Sequence, residues 1–329
     1  MKLPRRRFLH LAAGAAALPA VSRIAGAQSY PSRPITMIVP FAAGGPTDTI
    51  GRTVAERMRA QLGQPVILEN VTGAAGSIGL GRVARAPADG YTINVGNWSA
   101  HVVNGAIYVL PYDLLNDFEP IALLAQAPQL IVAKKATPAD DLNGLIGWLK
   151  ANPDKATVGT AGVGSPPHIG GIFFQTMTGT RAQFVSYRGA APAMQDLVAG
   201  QIDMMISDTT TALPQVRAGT IKAYAVAAQS RLPAAPDLPT ADEAGLSGFY
   251  VSTWNALFAP KGTPKNVVAK LNAAAVAALA DSAVRKRLAD LGQEIPAREQ
   301  QTPEALAIFH KAEVEKWWPI IKAANIKTE

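Results

Sequence analysis

The chain of 329 residues contains no cysteine. Disulfides, zinc–thiolate centres and thiol catalysis are thereby excluded, and the fold has to be held by its core alone. Histidine is scarce as well. Of the four in the sequence, His10 falls in the N-terminal segment, and His101, His168 and His310 form no metal-spaced cluster. No carboxylate pair stands out, so no metal site is expected. No Gly-x-x-x-x-Gly-Lys-Ser/Thr loop marks a nucleoside triphosphate site, and Gly73-x-x-Gly76-x-x-Gly79 is not a dinucleotide fingerprint. No Gly-x-Ser-x-Gly elbow surrounds Ser165. No cofactor and no catalytic residue is expected from this inventory.

Positive charge is abundant only at one end. Lys2, Arg5, Arg6, Arg7 and Arg23 precede the Ala25-Gly26-Ala27 site and no acid stands among them; removing these five from the formal +7 leaves +2. Without a basic stripe, a nucleic-acid role loses its main support. Arg5-Arg6-Arg7-Phe8-Leu9, the apolar run Leu11 to Ala20 and the A-x-A site together read as an export leader. The Arg-Arg-x-Phe-Leu order resembles a twin-arginine signal, although Pro4 stands where that pattern usually has Ser. The apolar run is too short and alanine-rich for a membrane span, which takes roughly 20 residues. The expected protein is therefore exported to the periplasm and cleaved near Ala27, with residues 1–27 as leader.

What remains alternates short β-rich runs with helical patterns, the signature of a parallel α/β sheet. Strands are expected at Ile35–Val39, Val66–Asn70 and Tyr91–Val95, with a helix from about Thr47 to Leu62. A second set follows. Apolar runs at Ile121–Leu124 and Gln129–Ala133 lead into alternating helices and strands up to Ala227. Ser252–Ala259 reads as a strand, and two long helical patterns, about 265–291 and 303–325, close the chain. The stripe containing Leu306, Phe309, Trp317 and Ile321 reads as core. About 300 residues favour two lobes over one. The expected division is 28–127 plus 250–329 for the first lobe and 128–249 for the second.

Each half carries glycine-rich strand-to-helix turns. Phe41-Ala42-Ala43-Gly44-Gly45-Pro46-Thr47-Asp48 leaves the first strand, and Ala161-Gly162-Val163-Gly164-Ser165-Pro166-Pro167-His168 leaves a strand of the second half. Glycine lets backbone approach a ligand, and a helix start offers unpaired N–H groups, so such turns bind anions without a charged side chain. Ligands of open α/β sheets sit outside the carboxyl ends of the strands, where both turns lie.

The polar residues nearby admit two readings each. Ser165 before Pro166 fits an N-cap with proline at the first helical position, or a hydrogen bond to ligand; a nucleophile is the weaker alternative. His168 orders the loop or serves as a base. Arg188 bonds a carboxylate or is a solvated surface arginine. Asp208 caps the following helix or accepts from a ligand hydroxyl or bound water. Asp48 sits near a helix N-terminus, where the dipole stabilises a carboxylate.

Taken in order, the motifs resemble one family. They are Pro40-Phe41-Ala42-Ala43-Gly44-Gly45-x-x-Asp48, Asn70-x-x-Gly73-Ala74-x-Gly76 and Ala161-Gly162-Val163-Gly164-Ser165-x-x-His168. Tyr187-x-Gly189-x-x-Pro192-Ala193-x-x-Asp196-Leu197-x-x-Gly200-x-x-Asp203, Pro239-Thr240-x-x-Glu243-x-Gly245 and Trp254-x-x-Leu257-Phe258-Ala259-Pro260-x-Gly262-Thr263-Pro264 complete the series. The chain resembles the Bug receptors, periplasmic solute-binding proteins of tripartite tricarboxylate transporters, across residues 29–329. The resemblance implies an α/β, two-lobe, hinged Venus-flytrap fold of the type II-like kind, with a central cleft. It implies a small mono- or dicarboxylate held by backbone N–H groups and hydroxyls, no enzymatic activity, and a tripartite carrier in the membrane as partner. The expected oligomeric state is a monomer. Carried over residue by residue, the first lobe supplies Phe41, Ala43, Gly44, Gly45, Asp48, Gly73, Ala74, Gly76 and Ser77. The second supplies Ala161, Gly162, Gly164, Ser165, His168, Tyr187, Gly189 and Asp208. Two side chains are added as tuners of specificity: Arg188, and Trp98, which either stacks on an aromatic ligand or packs in the core. A carboxylate sensor for a signalling system and, more remotely, an exported hydrolase using Ser165 or His168 are the rival readings.

Overall fold

The computed structural model describes residues 30–323; the expected leader lies outside them. Strand β1 (Ile35–Val39) is followed by α1 (Pro46–Leu62), β2 (Val66–Asn70), α2 (Ser77–Ala84) and β3 (Thr92–Asn97). Ile50, Val54, Met58 and Leu62 recur every fourth residue of α1 and are buried, which gives the helix one apolar face against the sheet. It ends at Gly63 in the left-handed conformation, whose N–H donates to Arg59 O. β1 lies between β2 and β3, parallel to both. Its Met37, Ile38 and Val39 are all fully buried, as suits a central parallel strand covered on both faces.

Beyond β3 the chain makes a wide helical turn, Ser99–Val103, continuous with α3 (Asn104–Ile107). It then enters β4 (Phe118–Lys134). The two apolar runs expected as separate elements are parts of this one strand of 17 residues. Its first part pairs with β9 (Ser252–Pro260) through Pro128, and Gln129 onward pairs with β7 (Met204–Asp208) and β8 (Ile221–Val226). Continuous pairing carries the backbone through Pro128 without a turn.

The second half contains α4 (Leu142–Ala151), β5 (Thr157–Thr160), α5 (Pro166–Thr178), β6 (Gln183–Ser186), α6 (Ala190–Val198), β7 and α7 (Thr209–Arg217). β5 is parallel to β6 and β7. After β9 come α8 (Lys265–Ala280), α9 (Ser282–Asp290) and α10 (Pro303–Ala323). The single helix expected over 265–291 is broken at Asp281. Its carboxylate accepts from the Ala283 and Val284 N–H groups and so caps a new helix.

Among the described residues the strands join in the order β2-β1-β3-β9-β4-β7-β5-β6, with β8 also on β4. Four apolar clusters cover this sheet. Two flank the β1, β3, β9 part, one under α1, α8 and α9 and one under α2, the 99–103 turn and α10. Two flank the β5, β7, β8 part, under α4 and α5 and under α6 and α7. A sheet with a separate pair of cores at each end is a two-lobe α/β molecule; β4 runs through both lobes, and β9 begins where the chain returns to the first.

Candidate functional site

The first-lobe jaw is the Phe41–Gly45 turn. Asp48 underpins it. One carboxylate oxygen accepts from Gly44 N–H and Arg52 Nε, the other from Arg52 Nη2 and Asn70 Nδ2, each at 2.9 Å. A carboxylate has about four acceptor sites, and all are used within the loop's own support. Burial pushes the Asp48 carboxyl up, but the bonds from Arg52, Gly44 and Asn70 outweigh it and hold the group below its ordinary value. Asp48 thus shapes the jaw and does not face the cleft. The neighbouring loop places Ala74 at φ 44° and Ala75 at φ 49°, a left-handed pair that alanine adopts at some cost. Ser77 Oγ accepts from Asn104 Nδ2 at 2.9 Å.

The second-lobe jaw is built without charge. Ser165 stands at the N-cap of α5, yet its hydroxyl reaches back to accept from Ala161 N–H at 3.1 Å. His168 Nδ1 accepts from Gly164 N–H at 3.1 Å, which puts the ring proton of the neutral form on Nε2. Burial lowers the His168 pKa to about 4. The two side chains serve different N–H groups and form no nucleophile–base pair. Pro166 and Pro167 remove two more donors from this helix start.

The jaws meet. Tyr108 Oη, from the first lobe, donates to Val163 O at 2.8 Å. A Cβ on Gly189 would stand 2.9 Å from Ala42 Cβ, and one on Gly162 would stand 3.7 Å from Ala75 N. Both glycines have positive φ, 150° and 110°. Between the lobes lies an enclosed space of about 30 Å³, room for a few waters and far below the roughly 300 Å³ of a typical ligand pocket. Seating a dicarboxylate requires the lobes to part. A larger groove of about 850 Å³ lies elsewhere on the first lobe, along α8 and α10, where β4 begins and β9 ends.

Phe41, Gly45, Pro46, Thr47, Ala161, Pro166, Pro167 and Ala190 wall the enclosed space, and Asn97, Gln129, Asp208, Thr253 and Asn255 complete it. Its walls are therefore the starts of α1, α5, α6 and α7. In α1 the intrahelical ladder begins only with Thr49 N–H donating to Gly45 O, leaving the Thr47 and Asp48 N–H groups outside it. Asp208 is buried and caps α7, accepting from Thr210 N–H at 2.8 Å. Burial raises its pKa, against the pull of bonds from Thr210, Thr253 and Gln293.

Four of the expected residues line this space: Phe41, Gly45, Ala161 and Asp208. Ala43 and Gly44 border an adjoining groove with Ala191. Gly73, Ala74, Gly76 and Ser77 belong to the loop that faces Gly162. Gly164, Ser165 and His168 give the second jaw its shape. The Tyr187 hydroxyl donates to Asp196 at 2.6 Å and its side chain packs against the second-lobe core. Arg188 is exposed. Trp98 is not at the cleft: it is fully buried in the first-lobe core, edge-on to Trp317 with centroids 4.9 Å apart. Its neighbour Asn97, the last residue of β3, lines the enclosed space, whereas Trp98 already has the helical backbone of the turn that follows.

Of the segment Asn97–His101, expected to reach the cleft, Asn97 does so; sequence reasoning missed Gln129, Thr253 and Asn255. A signal was available. Thr253 and Asn255 alternate with Trp254 in an otherwise apolar strand, and Gln129 is the lone polar residue of its run. Also missed were Tyr108, the cross-lobe donor, and Gln293. The Gln293 amide reaches from the segment after α9 to Asp208 Oδ1 at 3.1 Å and to the Thr209 and Thr210 hydroxyls at 2.9 Å.

Two α/β lobes joined by crossing strands, with helix starts turned toward a common cleft, define the solute-binding-protein class. The family model described as the tripartite tricarboxylate transporter family receptor matches residues 50–326, and the chain belongs to that family. A UPF0065 protein of Agrobacterium vitis is 40% identical over 97% of this chain and 92% of its own length. Among solved structures, MatC from Rhodopseudomonas palustris with bound malate is 42% identical, with a TM-score of 0.86 over 89% of this chain and all of that one. The periplasmic binding protein BugD is 41% identical, with a TM-score of 0.87 over 91% of this chain and all of that one.

Proposed function

We propose that this protein is a periplasmic receptor that captures a small carboxylate between its lobes and delivers it to the membrane subunits of a tripartite tricarboxylate transporter. The observation that carries this reading is the convergence of the starts of α1, α5, α6 and α7 on one enclosed space. Each helix start presents about half a positive charge, and α1 adds the free Thr47 and Asp48 N–H donors, which favours an anion there. Malate bound to MatC agrees with an acid as ligand. Ser165 and His168 are occupied in holding the loop, which favours capture without covalent chemistry. We take the lobes as 28–127 plus 250–329 and 128–249, hinged on β4 and β9, with residues 1–27 removed near Ala27. The receptor acts as a monomer, and its lobes close on the ligand by hinge motion.

The test is a library of mono-, di- and tricarboxylates screened by thermal melting and then by calorimetry. A matched acid at 100 times its Kd stabilises the protein by about 2.7 kcal/mol, a melting shift of several degrees. A complete library giving neither a shift nor heat overturns the reading.

A further inference from the structure

The walls of the cleft suit an anion, but its floor is built from acceptors. Gln129 lies opposite Asp208 across β4 and β7, and Asn97 lies opposite Asn255 across β3 and β9. Thr253 and Asn255 share one face of β9, two residues apart. All five side chains are buried and line the same space.

Their hydrogen bonds have a fixed direction. Thr253 Oγ1 donates to Asp208 Oδ2 at 3.2 Å, so it must accept from Gln129 Nε2, 3.3 Å away. That assigns the Gln129 amide its orientation and leaves Oε1 as an acceptor. Gln129 Oε1 is buried and has no partner among the described residues. Asp208 Oδ1 accepts from Thr210 N–H and Gln293 Nε2, while Oδ2 accepts only from Thr253. One of the carboxylate's four acceptor sites is left over. No lysine or arginine among the described residues pairs with Asp208. Buried acceptors without donors are costly, and a buried carboxylate without a cation more so.

We propose that this floor is a donor site, with Asp208 and Gln129 selecting carboxylates that also carry a hydroxyl or ammonium group over the unsubstituted acids. The inference rests on the carboxylate-receptor reading. It divides the ligand's chemistry between two places: the helix starts take the acid, and the floor takes the donor. A hydroxyl satisfies one of the spare acceptors. An ammonium, with three N–H donors, has enough for the spare acceptors and neutralises Asp208.

Matched triplets test this: the unsubstituted, 2-hydroxy and 2-amino acids of three to six carbons, such as succinate, malate and aspartate. Each is titrated calorimetrically into the full mature chain. Hydrogen bonds to charged groups predict about 10- to 100-fold tighter binding for the donor-bearing member. In Asp208→Asn the α7 cap is retained, since Asn caps as well as Asp, and the preference falls to a few-fold. If the 2-amino acid is the preferred member, its affinity falls more than that of the 2-hydroxy acid. Gln129→Met removes the free acceptor at nearly constant volume and serves as a second variant should Asp208→Asn fold poorly; it too narrows the preference. Unsubstituted acids binding as tightly as their substituted partners, or a preference unmoved in both variants, overturns the donor site while leaving the receptor reading intact. No acid of any triplet binding overturns both.

Discussion

The two jaws do one job with opposite materials. In the first lobe the turn is held by a carboxylate that takes four hydrogen bonds, with Arg52 half exposed beside it. In the second lobe the turn is held by a hydroxyl and a neutral imidazole, both buried. Each device ties a backbone N–H of a glycine-rich loop to a side chain four residues on: Gly44 to Asp48, Ala161 to Ser165, Gly164 to His168. Neutral support on one side keeps a fixed negative charge out of the second jaw. The charged support on the other is fully paired, so it too presents no bare carboxylate to an incoming acid. The chemistry differs, and with it the response of each lobe to mutation and pH.

The largest effect is expected where the jaws touch. In Gly189→Val the new side chain starts 2.9 Å from Ala42 Cβ and 3.2 Å from Ala42 N, in a backbone conformation with φ of 150°. The lobes then cannot reach this closed arrangement, and ligand affinity falls by about 100-fold or more, near 2.7 kcal/mol. Calorimetry reads the loss, and small-angle scattering reads a protein that stays open with ligand present. Normal affinity in this variant would mean that the Gly189–Ala42 approach is not part of the bound state. Next comes Asp48→Ala, which leaves Gly44 N–H unpaired and Asn70 Nδ2 with only its bond to Phe41 O. It is expected to cost about 2–3 kcal/mol in urea unfolding and to weaken binding by loosening the first jaw. The Asp48 carboxyl is held below its ordinary value, so its contribution is complete above about pH 4 and fades as pH drops below that. A variant with unchanged stability and unchanged acid sensitivity would remove Asp48 from its supporting role.

Much of this was legible in the chain because backbone chemistry writes itself locally. Gly44, Gly45, Gly162 and Gly164 announce turns that side chains would block, and Pro46 and Pro166 announce the helices behind them. The two lobes followed from strand–helix alternation. What escaped has a common physical cause. Gln129, Thr253 and Asn255 meet Asn97 only because β3, β4 and β9 are neighbours in one sheet, a nonlocal fact that no single segment carries. Trp98 stands just past the end of β3, where the backbone turns helical and carries the ring into the first-lobe core. Asp48 sits in a motif beside the cleft and reads as a contact, yet all its acceptor capacity is spent on the loop, which only the three-dimensional partners Arg52 and Asn70 reveal. The break at Asp281 is a local signal, a capping carboxylate inside a long apolar pattern, and was outweighed by the pattern's length.

The finest discrimination between the jaws comes from His168. Its ring is neutral because burial lowers its pKa to about 4, whereas an unfolded histidine titrates near 6.5. Below pH 6.5 the unfolded chain therefore binds a proton that the folded chain refuses, and stability falls as pH drops from 6.5 to 4. The full difference is about 3 kcal/mol for this one group. His101 and His310 are buried with lowered values as well, so the wild-type acid limb is the sum of all three. His168→Asn puts an amide oxygen in reach of Gly164 N–H and removes the titration; its stability should lose less on acidification, with binding weakened by a few-fold at most. His168→Leu removes the titration and strands the Gly164 N–H, so it gains the same acid tolerance but binds about tenfold more weakly at pH 7. The contrast between the two variants separates the proton from the hydrogen bond. If His168→Leu binds as well as His168→Asn, the imidazole is mere filler in the second jaw. If neither variant flattens the acid limb, the second jaw does not refuse the proton, and its claimed neutrality falls.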